Sequence, residues 1–504
     1  MTMELLSPQD EFNETLLDNV HPPDWVNPEP KDWYHLVVIG AGAGGLVSAI
    51  GAASVGARVA IIERYLLGGD CLIVGCVPSK SVIRSSRVVH EIAGAAPYGV
   101  TGMGSPRADF GEVMRRMRRM RARISPNDSV QRLTGLGIDV FLGDASFADS
   151  RNFTVGGKRL RFKQAVIASG GRPMVPPVPG LEETGYLTNE TIFNLTERPQ
   201  AVLFLGGGPI GSELAQAFRR LGSEVTVVAR DPHFLPREDD DAAQVLHRQF
   251  EREGIRFHFE AVLDRVERVN GKKRVTVAGK EGPFAVDVDE IVVAAGRTAN
   301  VETLNLKSAG VTLENGLVKV SDTLRTANRR IYAVGDVCLR LQFTHLSGTT
   351  GALVVQNALF RGRKKWTDLV VPWCTYTDPE IAHVGMYERD ARAQGIDVDT
   401  FVRPFEEVDR AILEGDESGF VKIHVRKGTD RILGATIVAR HAGEMISEIT
   451  LAMNSNVGLK RIASTIHPYP TQAEGIQQVG AAYYRSKLTP FTKRLLRFLL
   501  RVLN

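Results

Sequence analysis

Cysteine is scarce, with four in 504 residues. That excludes a secreted scaffold held together by disulfides and makes a reducing, cytoplasmic setting the expectation. No apolar run approaches the ~20 residues needed to span a bilayer. The net formal charge is only +4, which gives no basic footprint of a nucleic-acid-binding chain. The first residues lack a basic region and carry Glu4, Asp10, Glu11, Glu14 and Asp18, so they do not read as a signal peptide. What remains is ordinary for a globular protein, with 43% hydrophobic and 24% charged residues. The length suggests about three domains.

Residues 1–34 are polar and proline-rich and read as an extended arm. His35–Ile39 is short, apolar and β-branched and runs into glycines, which predicts a buried parallel strand. A helix over 46–56 and a strand over 58–63 follow. The same plan returns at 201–205, 211–221 and 224–229. Strand–helix–strand units of this kind imply parallel sheets. Residues 370–485 hold no glycine-rich phosphate loop and mix short strands with helices, as in a separate α+β domain. The helix expected over 111–123 carries Met114, Met117 and Met120 at every third position, and its arginines read as a solvated face. The tail from 486 to 504 alternates Lys493, Arg494, Arg497 and Arg501 with leucines and Phe498. It reads as a basic amphipathic segment that packs back on its parent domain or touches a membrane surface, the former being the expectation.

Gly40-Ala-Gly42-Ala-Gly-Gly45 follows the first strand and opens a helix. Glycines at this spacing permit a tight turn, close approach to a pyrophosphate and close helix–strand packing, and the helix start supplies free N–H groups. Glu63 ends the next strand, where a carboxylate binds a ribose hydroxyl pair. Gly206-Gly-Gly208-Pro-Ile-Gly211 is the second such site. There Arg230 stands in place of an acid, with Arg237 a little beyond, and a guanidinium suits a 2′-phosphate. The sequence therefore predicts NADPH over NADH at this site.

In Gly68-Gly-Asp-Cys71-Leu-Ile-Val-Gly-Cys76-Val-Pro-Ser-Lys80 the two cysteines lie five apart. In a regular helix that is a rise of ~7.5 Å, too far for a disulfide, so the segment must be distorted, as Gly68, Gly69 and Gly75 permit. A helix start also lowers a thiol pKa. This segment closely resembles the active-site signature of the class I pyridine nucleotide–disulfide oxidoreductases, and the resemblance extends over about residues 35–485. It implies an α/β fold with two Rossmann-like dinucleotide-binding domains and a C-terminal α+β dimerisation domain. The expected layout is an arm (1–34), an FAD-binding domain in two parts (35–186 and 301–369), an NADPH-binding domain (187–300), a dimerisation domain (370–485) and a tail (486–504).

The resemblance further implies FAD at the first glycine site, NADPH at the second and a redox pair Cys71/Cys76, with Cys76 toward the flavin and Cys71 toward substrate. It pairs Glu213 with Lys80 beside the flavin. Ala168-Ser169-Gly170 and Ala294-Ala-Gly296-Arg297 resemble the family's two strand-end turns. Gly335-Asp336 resembles the segment whose Asp binds the ribityl chain. Cys338 and Cys374 match no catalytic position and read as structural.

Disulfide reductases of the family take a proton from a His of a His-Pro-Thr-x-x-Glu segment of the partner subunit. Here the stretch is His467-Pro-Tyr469-Pro-Thr471-Gln-Ala-Glu474. Aligning Pro470-Thr471 and Glu474 puts Tyr469 at the base position, and a phenol is a poor proton relay at neutral pH. Mercuric reductases are similar in this segment, and their acceptor, Hg(II), is a soft ion that thiolates bind. The leading expectation is a mercuric-reductase-like homodimer in which Cys71 and Cys76 hold the metal. The alternatives are a reductase of a small-molecule or protein disulfide, like glutathione reductase or dihydrolipoamide dehydrogenase and using His467, and a quinone-reducing flavoprotein that bypasses the cysteines.

Overall fold

The computed structural model describes residues 6–503 except Met103, Ser105 and Glu281. The chain divides into two compact units: residues up to Pro232 with Gly254–Leu369, and His233–Glu253 with the chain from Val370 onward.

The first unit is built on a parallel core sheet. Strand β1 (Tyr34–Ile39) lies between β2 (Val59–Glu63) and the long strand Lys158–Ile167. Asp139–Leu142 flanks β2, and Ile331–Ala333 pairs with the end of Lys158–Ile167. All five residues of β2 are buried, as a strand covered on both faces requires. Helix α2 (Ala43–Ser54) starts just beyond β1. A second parallel sheet orders Arg256–His258, Glu224–Val228, Ala201–Leu205 and Glu290–Val293, and the helix Pro209–Arg220 again starts just past its strand. The second unit carries a five-stranded antiparallel sheet over 372–439. The helices Ala442–Asn454 and Glu474–Ser486 lay Ile446, Ile449, Ile476, Val479 and Tyr483 into its core. The α/β class read from the alternation of strands and glycine turns is the one observed.

Three readings of the sequence are corrected. The arm is not extended throughout. Helix α1 (Glu11–Val20) is capped by Asp10, whose carboxylate accepts from the Phe12 and Asn13 amides, and it buries Leu16, Leu17 and Val20. Residues 1–5 of the arm lie outside the described residues.

The arginine face of α5 (Phe110–Ile124) is solvated only in part: Arg115, Arg119 and Arg123 are exposed, but two arginines are not. Met114 and Met117 are buried as expected of an apolar stripe, but Arg118 and Arg121 are buried with them. Arg118 pairs with Asp10 at 2.5 Å. Arg121 donates to the Ile73 carbonyl (2.7 Å) and to Asn13 Oδ1 (2.8 Å). Periodicity alone places an arginine outside; here the docked α1 supplies polar partners and closes over it.

The tail does not pack back on its parent domain. It forms a helix over Pro490–Leu503 with no buried residue. An apolar face of this size calls for a covering surface, and its own domain offers none.

Candidate functional site

In both glycine motifs the backbone itself explains the glycines. A Cβ on Gly40 would stand 2.2 Å from the Ala168 carbonyl oxygen, and one on Gly45 would stand 1.8 Å from that of Gly40. The second motif repeats this: Gly206 would meet the Ala294 carbonyl at 2.4 Å and Gly211 that of Gly206 at 2.1 Å. The middle glycines differ. Gly208 faces open space, and Gly42 has only the Gly69 Cα at 3.8 Å. The outer glycines are therefore needed for chain packing, while the middle ones leave a gap at a helix N-terminus of the kind a pyrophosphate enters.

Glu63 ends β2 as a buried carboxylate, accepting from the Ala41 (2.7 Å) and Tyr65 (2.8 Å) amides. Burial pushes its pKa up. The Ala168–Gly170 turn is tied to Asn300: Ser169 donates to the Asn300 carbonyl (2.8 Å), and the Asn300 amide donates back at 3.0 Å. Arg297 links two acids. It bonds to Asp70 and lies 3.3 Å from Asp336 through an Nε that is out of line for a hydrogen bond and has no other partner. Burial raises the Asp336 pKa despite that guanidinium. A buried carboxylate and an unspent Nε–H beside the first glycine turn are what a ribityl-hydroxyl ligand can satisfy. Donors, acceptors and gap together fit a dinucleotide. Gly335 takes a φ of +74°, which an L side chain would strain, and a Cβ there would also displace the Ser347 hydroxyl. Gly296 also has positive φ, at +128°.

The cysteine segment breaks where the spacing demands. Gly68 and Gly69 take positive φ, and α3 (Gly69–Ile73) then stops at Val74–Gly75. Cys76 is the first residue of α4 (Cys76–Ala93). Gly75 has no room for a side chain, since a Cβ would lie 2.7 Å from the Asp70 carbonyl oxygen. The break brings Cys71 and Cys76 into hydrogen-bonding contact as free thiols.

Their environments divide the proton between them. Cys76 is held down to about 6, first by the hydrogen bond from Cys71, then by Thr344, whose Oγ1 lies 3.3 Å away, and by the Lys80 charge. Its place at the start of α4 acts in the same direction. Cys71 is pushed up by the same hydrogen bond and by burial. Lys80 Nζ donates to Glu213 Oε2 at 2.8 Å. Cys71 lines a cavity of about 530 Å³ with Leu46, Val47, Ile50, Leu72, Val77, Ile124, Asp128 and Arg132 among its walls. Cys76 and Lys80 line a second, of about 370 Å³.

Proton loss makes the nucleophile. In the reduced protein, alkylation by iodoacetamide is expected to quicken about tenfold per pH unit below pH 6 and to level off above pH 7. Mass spectrometry of quenched samples measures it. A midpoint at 8.5 would contradict the thiolate assigned to Cys76.

Arg230 lies exposed after the strand Glu224–Val228. Arg237, in the other unit, is also exposed, and its carbonyl accepts from Arg389. In that unit His467 and Tyr469 have different surroundings. His467 has both ring nitrogens on acceptors, Glu448 Oε1 at 3.0 Å and the Thr465 carbonyl at 3.1 Å, and its side chain is only 8% exposed. Tyr469 is 70% exposed and donates to Asp409 at 2.9 Å, and that carboxylate raises the phenol pKa. Glu474 accepts from Gln478 (3.2 Å), not from His467. Asp70, Thr344, Arg121, Asp409 and Glu448 carry no signal in the sequence near the residues they serve. Only Asp70 could have been flagged, as the neighbour of Cys71.

A chain with two dinucleotide-shaped glycine turns and a dithiol at a helix start defines a flavoprotein disulfide reductase. Residues 34–359 match the family model described as pyridine nucleotide-disulphide oxidoreductase, and residues 371–479 match its dimerisation domain. The chain belongs to this family, whose members use FAD and NAD(P)H. It is 34% identical over 454 residues to a mercuric reductase of Staphylococcus aureus, covering 89% of this chain and 82% of that one. It is 32% identical over 467 residues to a dihydrolipoyl dehydrogenase of Bacillus subtilis (strain 168), covering 89% and 98%. Among solved structures, the Cu(II) complex of the HOCl-induced flavoprotein disulfide reductase RclA from Escherichia coli superposes with a TM-score of 0.80. It is 27% identical and is matched over 90% of this chain and all of that one.

Proposed function

We propose that this protein, as a homodimer, moves electron pairs from NADPH to Hg(II), or a similarly thiophilic metal ion, through the Cys71/Cys76 dithiol. The observation that carries the metal reading is the contrast between His467, tied up by Glu448 and Thr465, and the exposed Tyr469. Reducing a disulfide releases a thiolate that needs a proton. Taking Hg(II) to Hg(0) needs two electrons and no leaving-group proton. The similarity to mercuric reductases and the copper-bound structural relative support the same class of acceptor.

FAD, when bound, accepts hydride from NADPH and hands the electron pair to a cysteine disulfide. Gly40, Gly42, Gly45, Glu63, the Ala168–Gly170 turn, Gly335 and Asp336 would hold it, with Lys80 and Glu213 fixing charge beside it. Gly206, Gly208, Gly211, Arg230 and Gly296 are the candidates for NADPH, while Arg297 stands with Asp336 on the FAD side. Cys76, poised as thiolate, exchanges electrons on the inner side. Cys71 keeps its proton until substrate arrives and meets that substrate from the cavity it lines. As two thiolates the pair can hold a soft divalent ion linearly, and Tyr469 and Glu474 would close the site from the other subunit. Glu63 and Glu213 serve binding and charge rather than proton transfer.

A second reading, reduction of a small-molecule or protein disulfide, draws on the largely apolar cavity at Cys71, which suits a dithiolane arm, and on the comparable similarity to dihydrolipoyl dehydrogenases.

One assay separates them: NADPH oxidation against Hg(II), Cu(II), glutathione disulfide, lipoamide and a quinone in parallel. Hg(II) is expected to turn over at least tenfold faster than either disulfide. Tyr469→Phe should lower kcat/KM for Hg(II) about tenfold, while His467→Ala stays within twofold. A hundredfold loss of disulfide reduction in His467→Ala would instead select the second reading. NADH preferred over NADPH by tenfold would remove the role given to Arg230.

A further inference from the structure

The helix Pro490–Leu503 lies beyond the dimerisation-domain match, and nothing in the redox chemistry uses it. Its start is well specified. Thr489 caps it, with its hydroxyl accepting from the Thr492 amide (3.1 Å), and Pro490 holds the first helical position, where a missing N–H costs nothing. At 100° per residue, Lys493, Arg494, Arg497 and Arg501 gather on one face, with Pro490 among them. Phe491, Leu495, Leu496, Phe498, Leu499, Leu500, Val502 and Leu503 occupy the remaining arc of about 200°, interrupted by Thr492 in the first turn. None of these apolar side chains is buried, and Phe491 and Leu503 are each more than three-quarters exposed. A chain in water rarely leaves so continuous an apolar surface exposed without a use for it.

Charge identifies the occupant. After Glu474 the chain has no acidic residue, while Arg485, Lys487, Lys493, Arg494, Arg497 and Arg501 are all cations. They exceed the whole net charge of +4, so the rest of the chain is slightly acidic. We infer that this helix docks the enzyme on an anionic lipid surface, lying in the plane of the bilayer interface with its leucine–phenylalanine face among the acyl chains and its cations at the headgroups. Four cations along its length keep it out of a hydrocarbon core, so it lies on the membrane and does not span it.

A second copy of the same helix fits less well. A paired helix needs a stripe of roughly 100°, which would leave half of this apolar arc wet. With no acid on the helix, no interhelical ion pair could set the register.

The test is flotation of the FAD-loaded, full-length protein with vesicles of phosphatidylglycerol and phosphatidylcholine (1:1), against vesicles of phosphatidylcholine alone. The wild-type protein is expected to float with the anionic vesicles, at least tenfold more tightly than with the neutral ones, and to come off at 0.5 M salt. Arg494→Gln/Arg497→Gln/Arg501→Gln should weaken anionic-vesicle binding about a hundredfold, at roughly fivefold per cation. Leu495→Gln/Phe498→Gln/Leu499→Gln should abolish it with NADPH oxidation and bound flavin unchanged, whereas Leu495→Ile/Leu499→Ile should keep it. Failure of the wild-type protein to float with anionic vesicles, or binding that survives the glutamine triple on the apolar face, overturns the inference. So does a smaller assembly on sedimentation of that apolar-face variant without any lipid binding, which would give the face to a second copy.

Discussion

Cys76→Ala is expected to cost at least about a thousandfold in acceptor reduction, and Cys71→Ala as much, while each protein still binds its flavin. The two variants fail for different reasons, and the difference is measurable. A disulfide takes two electrons and two protons to become two thiols, so either cysteine alone cannot store the pair. In Cys71→Ala the thiolate of Cys76 loses its strongest support, the hydrogen bond from Cys71. Its titration should move up from about 6 toward the ordinary thiol range near 8.5. Thr344 and Lys80 remain and should keep it short of that range. In Cys76→Ala the neighbour that pushes Cys71 up is gone, so Cys71 should become easier to ionise. The pH dependence of alkylation in the two single variants reads both shifts. Full acceptor turnover in Cys71→Ser/Cys76→Ser would mean that electrons bypass the cysteines, as in a quinone-reducing flavoprotein.

The second large effect is expected far from any glycine motif. Arg121→Met keeps most of the buried volume but strips the Ile73 carbonyl and the Asn13 side chain of their donor. Each buried acceptor left unpaired costs about 1–3 kcal/mol. Burial lowers the Arg121 pKa to about 10, which still leaves it charged at neutral pH. The methionine does relieve the cost of burying that charge, so the net loss should be about 2 kcal/mol. Because the chain has two units, a single melting temperature would blur the effect. Amide hydrogen exchange resolves it: the amides of α1 and of residues 72–76 should exchange about thirtyfold faster than in the wild-type protein, and those of the second unit should not change. Ile73 lies between the two cysteines, so looser backbone there should also raise the alkylation midpoint of Cys76. Uniform exchange in both units, or none, would remove Arg121 as the support of the redox segment.

The parts legible in the sequence share a property. The two strand–glycine–helix turns, the acid at the end of β2 and the break between the cysteines are each fixed within a few tens of residues. Backbone sterics there leave few choices: Gly45 must be glycine because the Gly40 carbonyl lies where its side chain would be. Five-residue spacing cannot close a disulfide on a regular helix, so the glycines around it are informative from the sequence alone. The arginines of α5 show the opposite case. A period of 3.6 separates faces but cannot say that another helix, a hundred residues earlier, will cover part of the polar one. Arg118 and Arg121 read as solvated in the sequence for that reason. Thr344 stands 268 positions from Cys76, and nothing in either segment announces the contact.

By itself, then, the chain's order of residues determined two nucleotide-shaped turns, a distorted dithiol segment and an α/β architecture, because local geometry admits little else. Tertiary structure decided which cysteine carries the negative charge, since Thr344 reaches Cys76 from a distant segment and adds to what Lys80, one turn along α4, supplies locally. It decided that His467 spends its nitrogens on Glu448 and Thr465 while Tyr469 stays exposed, and that the tail helix finds no cover on its own domain. Those outcomes depend on which distant groups arrive at a given atom, and burial, charge and hydrogen bonding act only once they have.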